Sequence, residues 1–396
     1  MEDTELIIAV LAIVTAIIGL IKVLILKKDD RNIKQTQTAG DNAQQIQGQN
    51  VTIINQNGIT EQRAREICSE MFAVAKRDLT IEAEKTALER VGKLEDRLMP
   101  KMHRIEGALQ NFADPSFQVL LTKANKAAAC TDRESDFDLL SELLIHRIEK
   151  KNSRKDQVGL NRAVEIVDQI TDEALNGLTV LFTVGKIDPA ADTLEVCLWA
   201  LNILYKKLPL SSLPTGKEWI EELDILDAIR GSSLGVTKKI EDFWAEKYTG
   251  FITTGIKIDG ENWPIVTKML IESGLSIKSL IPNALLDNYV LIPVMDEERI
   301  DALKQSVMSN GNVVQVPVSE EQKQVLHKIF SMYDKSPEMM TKVKKTFVEK
   351  IDSYDAVKTV RAWWNSIPHA VTVTAVGRIL AHANAKRCDP SLPDLN

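Results

Sequence analysis

The chain has 396 residues, of which 27% are charged and 44% hydrophobic, and its formal net charge is -7. That balance suits a body of two or three ordinary domains and argues against a protein that coats nucleic acid without selectivity. The four cysteines, Cys68, Cys130, Cys197 and Cys388, stand far apart with no CxxC pair, so no disulfide framework is implied and a reducing compartment suits the chain.

The first element runs from Leu6 to Leu26, LIIAVLAIVTAIIGLIKVLIL, with Lys22 as its single charge. Its roughly 21 residues at ~1.5 Å each reach ~31 Å, the thickness of a hydrocarbon core. Glu2, Asp3 and Glu5 precede it, and Lys27, Lys28 and Arg31 follow it. A cleaved signal peptide would show the opposite flanks, so this reads as an uncleaved membrane anchor. The positive-inside rule places the N-terminus outside and the bulk of the chain in the cytoplasm, with one span in contact with lipid.

One face of this helix carries Ala9, Ala12, Ala16 and Gly19, with Thr15 beside them. Small residues let membrane helices approach closely, where packing drives association. Projecting the seam back one turn reaches Glu5, which in a ring of helices would form an acidic mouth favouring cations. The seam therefore reads as a helix interface or pore lining; the plainer alternative is that Ala and Gly are common in membrane helices.

From Asn32 to Thr60 the chain turns polar. Gly40-Asp-Asn42 recurs as Gly48-Gln-Asn50, and Ile46, Val51 and Ile53 stand alone among Gln, Asn and Thr. This alternation favours short strands with Gly-Asn turns that several copies could pair between them. A flexible Gln/Asn-rich linker is the alternative.

Thr60 opens a helical period as an N-cap. Val91, Leu98, Ile105 and Phe112 fall at steps of seven, with charges such as Glu89, Lys93 and Asp96 between them. That spacing predicts a stalk of one or two helices, kinked or broken at Pro100. Packing on the chain's own body is the alternative. Asp114-Pro115 then opens the body. Helical spacing recurs over 117–129, 137–150, 163–182, 194–205, 218–229, 240–248, 265–273, 298–309, 321–333, 339–351 and 375–386. Two β-like runs, 289–294 and 313–318, are expected to pair. The fold class expected is mainly α. It comprises a transmembrane anchor over 1–31, a polar β-like oligomerisation tract over 32–59, a helical stalk over 60–113 and a helical cytoplasmic ligand-sensing domain over 114–396.

No catalytic signature stands up. Leu213-Pro-Thr-Gly-Lys217 ends like a phosphate loop, but Ser211 occupies the first Gly position. His103, His146, His327, His369 and His382 show no metal-ligand spacing, and no GxSxG elbow exists. No cofactor, metal or catalytic residue is expected. Basic and aromatic residues do gather near the C-terminus: Arg361, Trp363, Trp364, Arg378, His382, Lys386 and Arg387. Such a set offers phosphate pairing and base stacking, and Arg378, His382 and Lys386 share a helical face at steps of four. Taken singly, each tryptophan reads equally as core and each charge as a solvated face.

The order of these parts is distinctive: a short anchor, the GDN…GQNVTI…NG tract, a stalk, a body beginning DPSFQ and the ending TAVGRILAHANAKR. It resembles the transmembrane effector family of bacterial anti-phage defence, most of all the channel effectors of Hailong systems. The resemblance implies a homo-oligomeric ion channel, a tetramer. A partner nucleotidyltransferase would make deoxyadenylate DNA oligomers that bind the cytoplasmic domain and control gating. It transfers no residue roles, so the site residues rest on the reading above. A membrane-anchored scaffold or receptor without catalysis is the other class of function that this chain fits.

If the seam drives assembly, Ala12→Leu with Ala16→Leu should shrink the oligomer in detergent and relieve growth inhibition, whereas Ile8→Leu or Val14→Leu should not. Equal effects on both faces would remove the seam as the interface.

Overall fold

A computed structural model of the chain describes residues 59–75, 81–149, 154–232, 235–309 and 312–395. All belong to the second of two compact units, Gly58–Asn396. The expected anchor with Glu5, Ala9, Ala12, Thr15, Ala16 and Gly19, and the polar tract after it, lie outside the described residues. Among the described residues no helix is long and apolar enough to cross a membrane.

The body is mainly helical. In chain order it runs α1 (Glu61–Ala75), α2 (Ile81–His103), α3 (Pro115–Cys130), α4 (Glu134–Glu149), α5 (Arg154–Glu165), α6 (Asp172–Lys186), α7 (Leu194–Lys207), α8 (Glu218–Ile225), β1 (Ile229–Ser232), α9 (Ile240–Lys247), β2 (Ile256–Lys257) and α10 (Trp263–Glu272). It continues with β3 (Ile281–Pro282), β4 (Tyr289–Leu291), β5 (Lys304–Ser309), β6 (Asn312–Pro317), α11 (Glu320–Ser331), α12 (Pro337–Asp352), α13 (Asp355–Trp364), β7 (Ala370–Val373) and α14 (Ala375–Cys388).

Local chemistry sets many of these boundaries. Asp114 caps α3 by accepting from the Ser116 N–H at 2.8 Å, with Pro115 at the first helical position. Thr171, Thr193 and Thr374 cap α6, α7 and α14 in the same way. Ser319 and Gln322 form a reciprocal capping box on α11. Helix α10 ends at Gly274, whose φ of +73° lets the Leu275 N–H reach back to the Leu270 carbonyl at 2.8 Å.

The expected stalk is not free-standing. Helices α1 and α2 pack on α3, and α2 also packs on α4. Of the heptad series, Val91, Leu98 and Phe112 are buried in this body and Ile105 packs against it half-buried. Lys93 pairs with Glu134 at 2.5 Å, Arg97 with Asp138 at 3.0 Å and Lys101 with Glu142 at 2.8 Å across α2 and α4. Pro100 neither breaks nor ends α2, which runs on to His103. One turn from the end, its missing N–H costs a single helical bond.

Three other expectations change. The helix expected over 163–182 is two, because Thr171 starts a new one. The helix expected over 298–309 is a 3-10 turn over Glu297–Ala302 followed by β5. The two β-like runs do not pair: β4 lies between β2 and β3, and β6 pairs antiparallel with β5 from Lys304↔Pro317 to Ser309↔Asn312. The third sheet is a ribbon in which β1 and β7 pair from Ile229↔Val373 to Ser232↔Ala370.

Helix α14 sits at the centre, packed against α4, α5 and α6. Its Ile379, Leu380, Ala381, Ala383 and Ala385 are buried, and so are the polar His382 and Asn384. Near its start, a Cβ added to Gly377 would stand 1.9 Å from the Ala228 carbonyl oxygen. Both partners are backbone, so neither can yield without moving an element. Gly377→Ala should therefore destabilise the body by at least ~1–3 kcal/mol, read as a lower urea midpoint at unchanged slope. An unchanged midpoint would mean that α14 is not held as closely as this.

Candidate functional site

A largely apolar recess of about 460 Å3 opens beside the β1–β7 ribbon. Its walls come from Leu181 and Phe182 of α6, Phe243 of α9, Trp364 of α13 and Val371 and Val373 of β7. Three cations line it: Lys186, Lys238 and Arg378. The Phe243 and Trp364 rings stack at 5.6 Å with 29° between their planes. The Trp364 indole N–H donates to the Lys238 carbonyl at 2.8 Å, which fixes the ring as part of the wall.

The cations differ in how far they are neutralised. Lys238 pairs with Glu246 at 2.6 Å. Lys186 is exposed and forms no ion pair among the described residues. Arg378 reaches Asp156 only at 3.9 Å, with its side chain 36% exposed. Its Nε is nevertheless buried and has no hydrogen-bond partner among the described residues. An unmet buried donor on a charged group is costly, and it points to something that completes it.

The C-terminal basic and aromatic residues do not form one surface. Arg378 and Trp364 meet in this recess. Trp363 is buried, donates its indole N–H to the Pro214 carbonyl at 2.8 Å and packs on Trp219. Both tryptophans are only 8% exposed, so most of each ring is covered by the chain's own packing. Arg361 makes a two-pronged bond to Asp352, at 2.7 and 2.8 Å from its Nη2, and its charge is spent there. Arg387 donates to the Asn384 side chain at 2.9 Å.

His382 and Lys386 line a separate, much smaller crevice with Glu142, His146 and Glu149. Lys386 is tied to Asp394 and lies 3.8 Å from Glu149. His382 is 5% exposed, with its Nε2 2.9 Å from the Pro393 carbonyl oxygen and its ring edge-on to Phe182. The expected shared basic face of α14 is thus a core face at His382. The sequence signal that could have shown this is the run Ala381, Ala383, Ala385, which carries apolar surface around the whole helix.

Sequence reasoning missed Lys186, Lys238 and Phe243, which come from α6 and the approach to α9, far from the C-terminal cluster. No local spacing links them. Among the described residues no group of His, Cys, Asp and Glu is placed to hold a metal ion. Burial pushes the Cys68 and Cys197 thiols up to about 12, which makes them poor nucleophiles.

A family model described as ":-like" matches residues 58–395. No curated protein and no solved structure matches the chain.

Burial holds the pKa of His382 below the ordinary 6.5, against a raising bond from the Pro393 carbonyl. The groups facing it are His146, Lys386, Asp394 and Glu142. The imidazole therefore contributes stability that is complete above the unfolded value and is lost as pH falls from there through the folded value. Urea midpoints should decline between pH ~7 and ~5 in the wild type and decline less in His382→Gln. Parallel profiles for the two would show that other groups set the acid limb.

Proposed function

The chain belongs to the family matched over residues 58–395, and we propose that it is a homo-oligomeric membrane effector whose body reads an anionic nucleotide signal. In this reading the apolar stretch from Leu6 to Leu26 anchors it in a bacterial inner membrane, N-terminus outside, and the small-residue seam assembles a tetrameric ion channel or pore. The signal is a nucleotide or a single-stranded deoxyadenylate oligomer made by a partner nucleotidyltransferase, in keeping with the resemblance to anti-phage effectors. The chain itself does no chemistry.

One observation carries the ligand half of the proposal: the buried, unpartnered Nε of Arg378 in the wall of a 460 Å3 apolar recess that also holds the unpaired Lys186. A phosphate would meet Arg378 and Lys186, and a base would lie along Leu181, Phe243 and Val371. Guanidinium groups suit phosphate because their donors are forked and always charged. A recess of this volume suits one terminal nucleotide of a strand rather than a long stretch of it.

The test uses the full chain in detergent with deoxyadenylate oligomers, a matched duplex and single nucleotides. Single strands should bind best, and affinity should fall with added salt as counterions are released. Arg378→Glu with Lys186→Glu should weaken binding about a hundredfold or more without lowering oligomer mass, and should shift ion flux from liposomes. Binding that is absent for every nucleic acid, or indifferent to those two changes, would set the reading aside.

A second reading, a membrane-anchored scaffold or receptor, has one observation of its own. Val196, Trp199 and Ile203 line one face of α7, and Trp199 is 57% exposed. Exposed apolar stripes of this kind mark protein contacts. Loss of partner capture but not of ion flux in Trp199→Ala would favour it.

A further inference from the structure

A second recess of about 460 Å3 lies at the root of the β5–β6 ribbon. Its floor is apolar, with Leu275, Ile292, Val318 and Leu326 buried. Its rim carries Lys278 and Lys304, with the Ser276 and Ser279 hydroxyls and the Gln305 amide between them. No carboxylate lines it, in a chain with 56 acidic residues against 49 basic ones.

Neither rim lysine forms an ion pair among the described residues. Lysines on the two flanking helices do: Lys268 pairs with Glu272 at 3.7 Å on α10, and Lys323 with Glu320 at 2.5 Å on α11. The recess is also built rather than incidental. The Gln305 amide donates to the Gln322 side-chain oxygen at 2.9 Å, and Gln322 donates in turn to the Ser273 carbonyl at 3.1 Å. Gln322 is 8% exposed and also closes the α11 cap. This chain of bonds holds the ribbon root to the end of α10, where Gly274 turns the backbone into the recess wall.

We propose that this recess is a binding site for a small soluble phosphomonoester, with the phosphate between Lys278 and Lys304 and a compact apolar body over Leu275, Ile292 and Leu326. Two ammonium groups match a dianion better than a single carboxylate. They act as point charges, so the ligand's orientation is set by the apolar floor and the hydroxyls. A nucleic-acid strand would need a track of cations, which one recess with two does not provide. The site is independent of the recess that holds Arg378, and the two share no residue.

The location gives the ligand an effect. Strands β5 and β6 pair only with each other, and an isolated two-stranded ribbon is marginal in water. A ligand bridging Lys278 on one side and Lys304 at the start of β5 would tie the ribbon to the body.

Phenyl phosphate titrated into the full chain in detergent tests this by calorimetry and hydrogen exchange. Saturable binding is expected, with slower exchange over 303–318. Lys278→Gln and Lys304→Gln should each weaken it about tenfold, and Lys257→Gln, an exposed lysine outside both recesses, should leave it unchanged. Unfolding midpoints of the unliganded variants should match the wild type, because both side chains are exposed and unpaired. If either variant is nonetheless less stable, the other decides. Absence of saturable binding, or full affinity retained when Lys278 and Lys304 are both changed, overturns the proposal; the latter would place phenyl phosphate elsewhere.

Discussion

The close approach of α14 to the turn that leads into β1 governs the rest of the body. Gly377 lies against the Ala228 carbonyl, and the Thr374 N–H and hydroxyl bond the carbonyls of Ala228 and Asp227 at 3.0 and 2.6 Å. Asp227 takes a φ of +62° to present them, a conformation that a short polar side chain tolerates better than most. Once that contact is made, the small side chains Ala381, Ala383 and Ala385 let α4, α5 and α6 close around the helix. A larger residue at Gly377 would push α14 away from β1 and open every interface that surrounds it.

A buried helix with this composition brings polar groups inside, and each needs a partner. Asn384 donates to the Thr179 hydroxyl at 2.8 Å and accepts from Arg387 at 2.9 Å. His382 meets the Pro393 carbonyl, so the last few residues fold back over the core, with Leu392 and Leu395 packed against it. Lys386 meets Asp394. Against this background Arg378 stands out, because it alone on α14 keeps a buried donor unmet. Its position in the first turn, next to the β7 edge of the recess, makes it the point where the core helix touches the candidate site.

The helical class of the body was legible because its helices carry apolar spacing, and several also carry a cap. Asp114-Pro115 and Thr374 are visible without any structure, and the helices expected over 117–129, 194–205, 240–248 and 321–333 match observed ones closely. The failures share a cause: local signals were outweighed by a longer apolar pattern. The helical spacing over 163–182 runs straight through Thr171, which caps α6. Asn310-Gly311 is a two-residue hairpin signal, yet the periodic run before it was read as helix, and so the partner of β6 was assigned to β4. Helix α13 went unread, although Val357, Val360 and Trp364 follow helical spacing. For the site, Arg378 and Trp364 were within reach of sequence reasoning. Lys186 and Phe243 were not, because only the packing of α6 and α9 beside β7 brings them there.

Charge shows the same difference between sequence and space. Arg361 and Lys386 look like phosphate ligands in the sequence, but each is neutralised by a carboxylate on the same body. Arg378 is held by Asp156 at only 3.9 Å and is about one-third exposed, and such a pair contributes little, ~0–1 kcal/mol. Giving it up to an incoming anion therefore costs little, while the gain from completing the buried Nε is larger. Because Arg378 is in the first turn of a helix packed on three others, its displacement cannot be absorbed by a surface loop. Closely packed helices move between discrete arrangements rather than deform smoothly. A ligand that favours one arrangement of α14 over another would thus have the differential affinity that switching requires, and Arg378 is where that difference would enter.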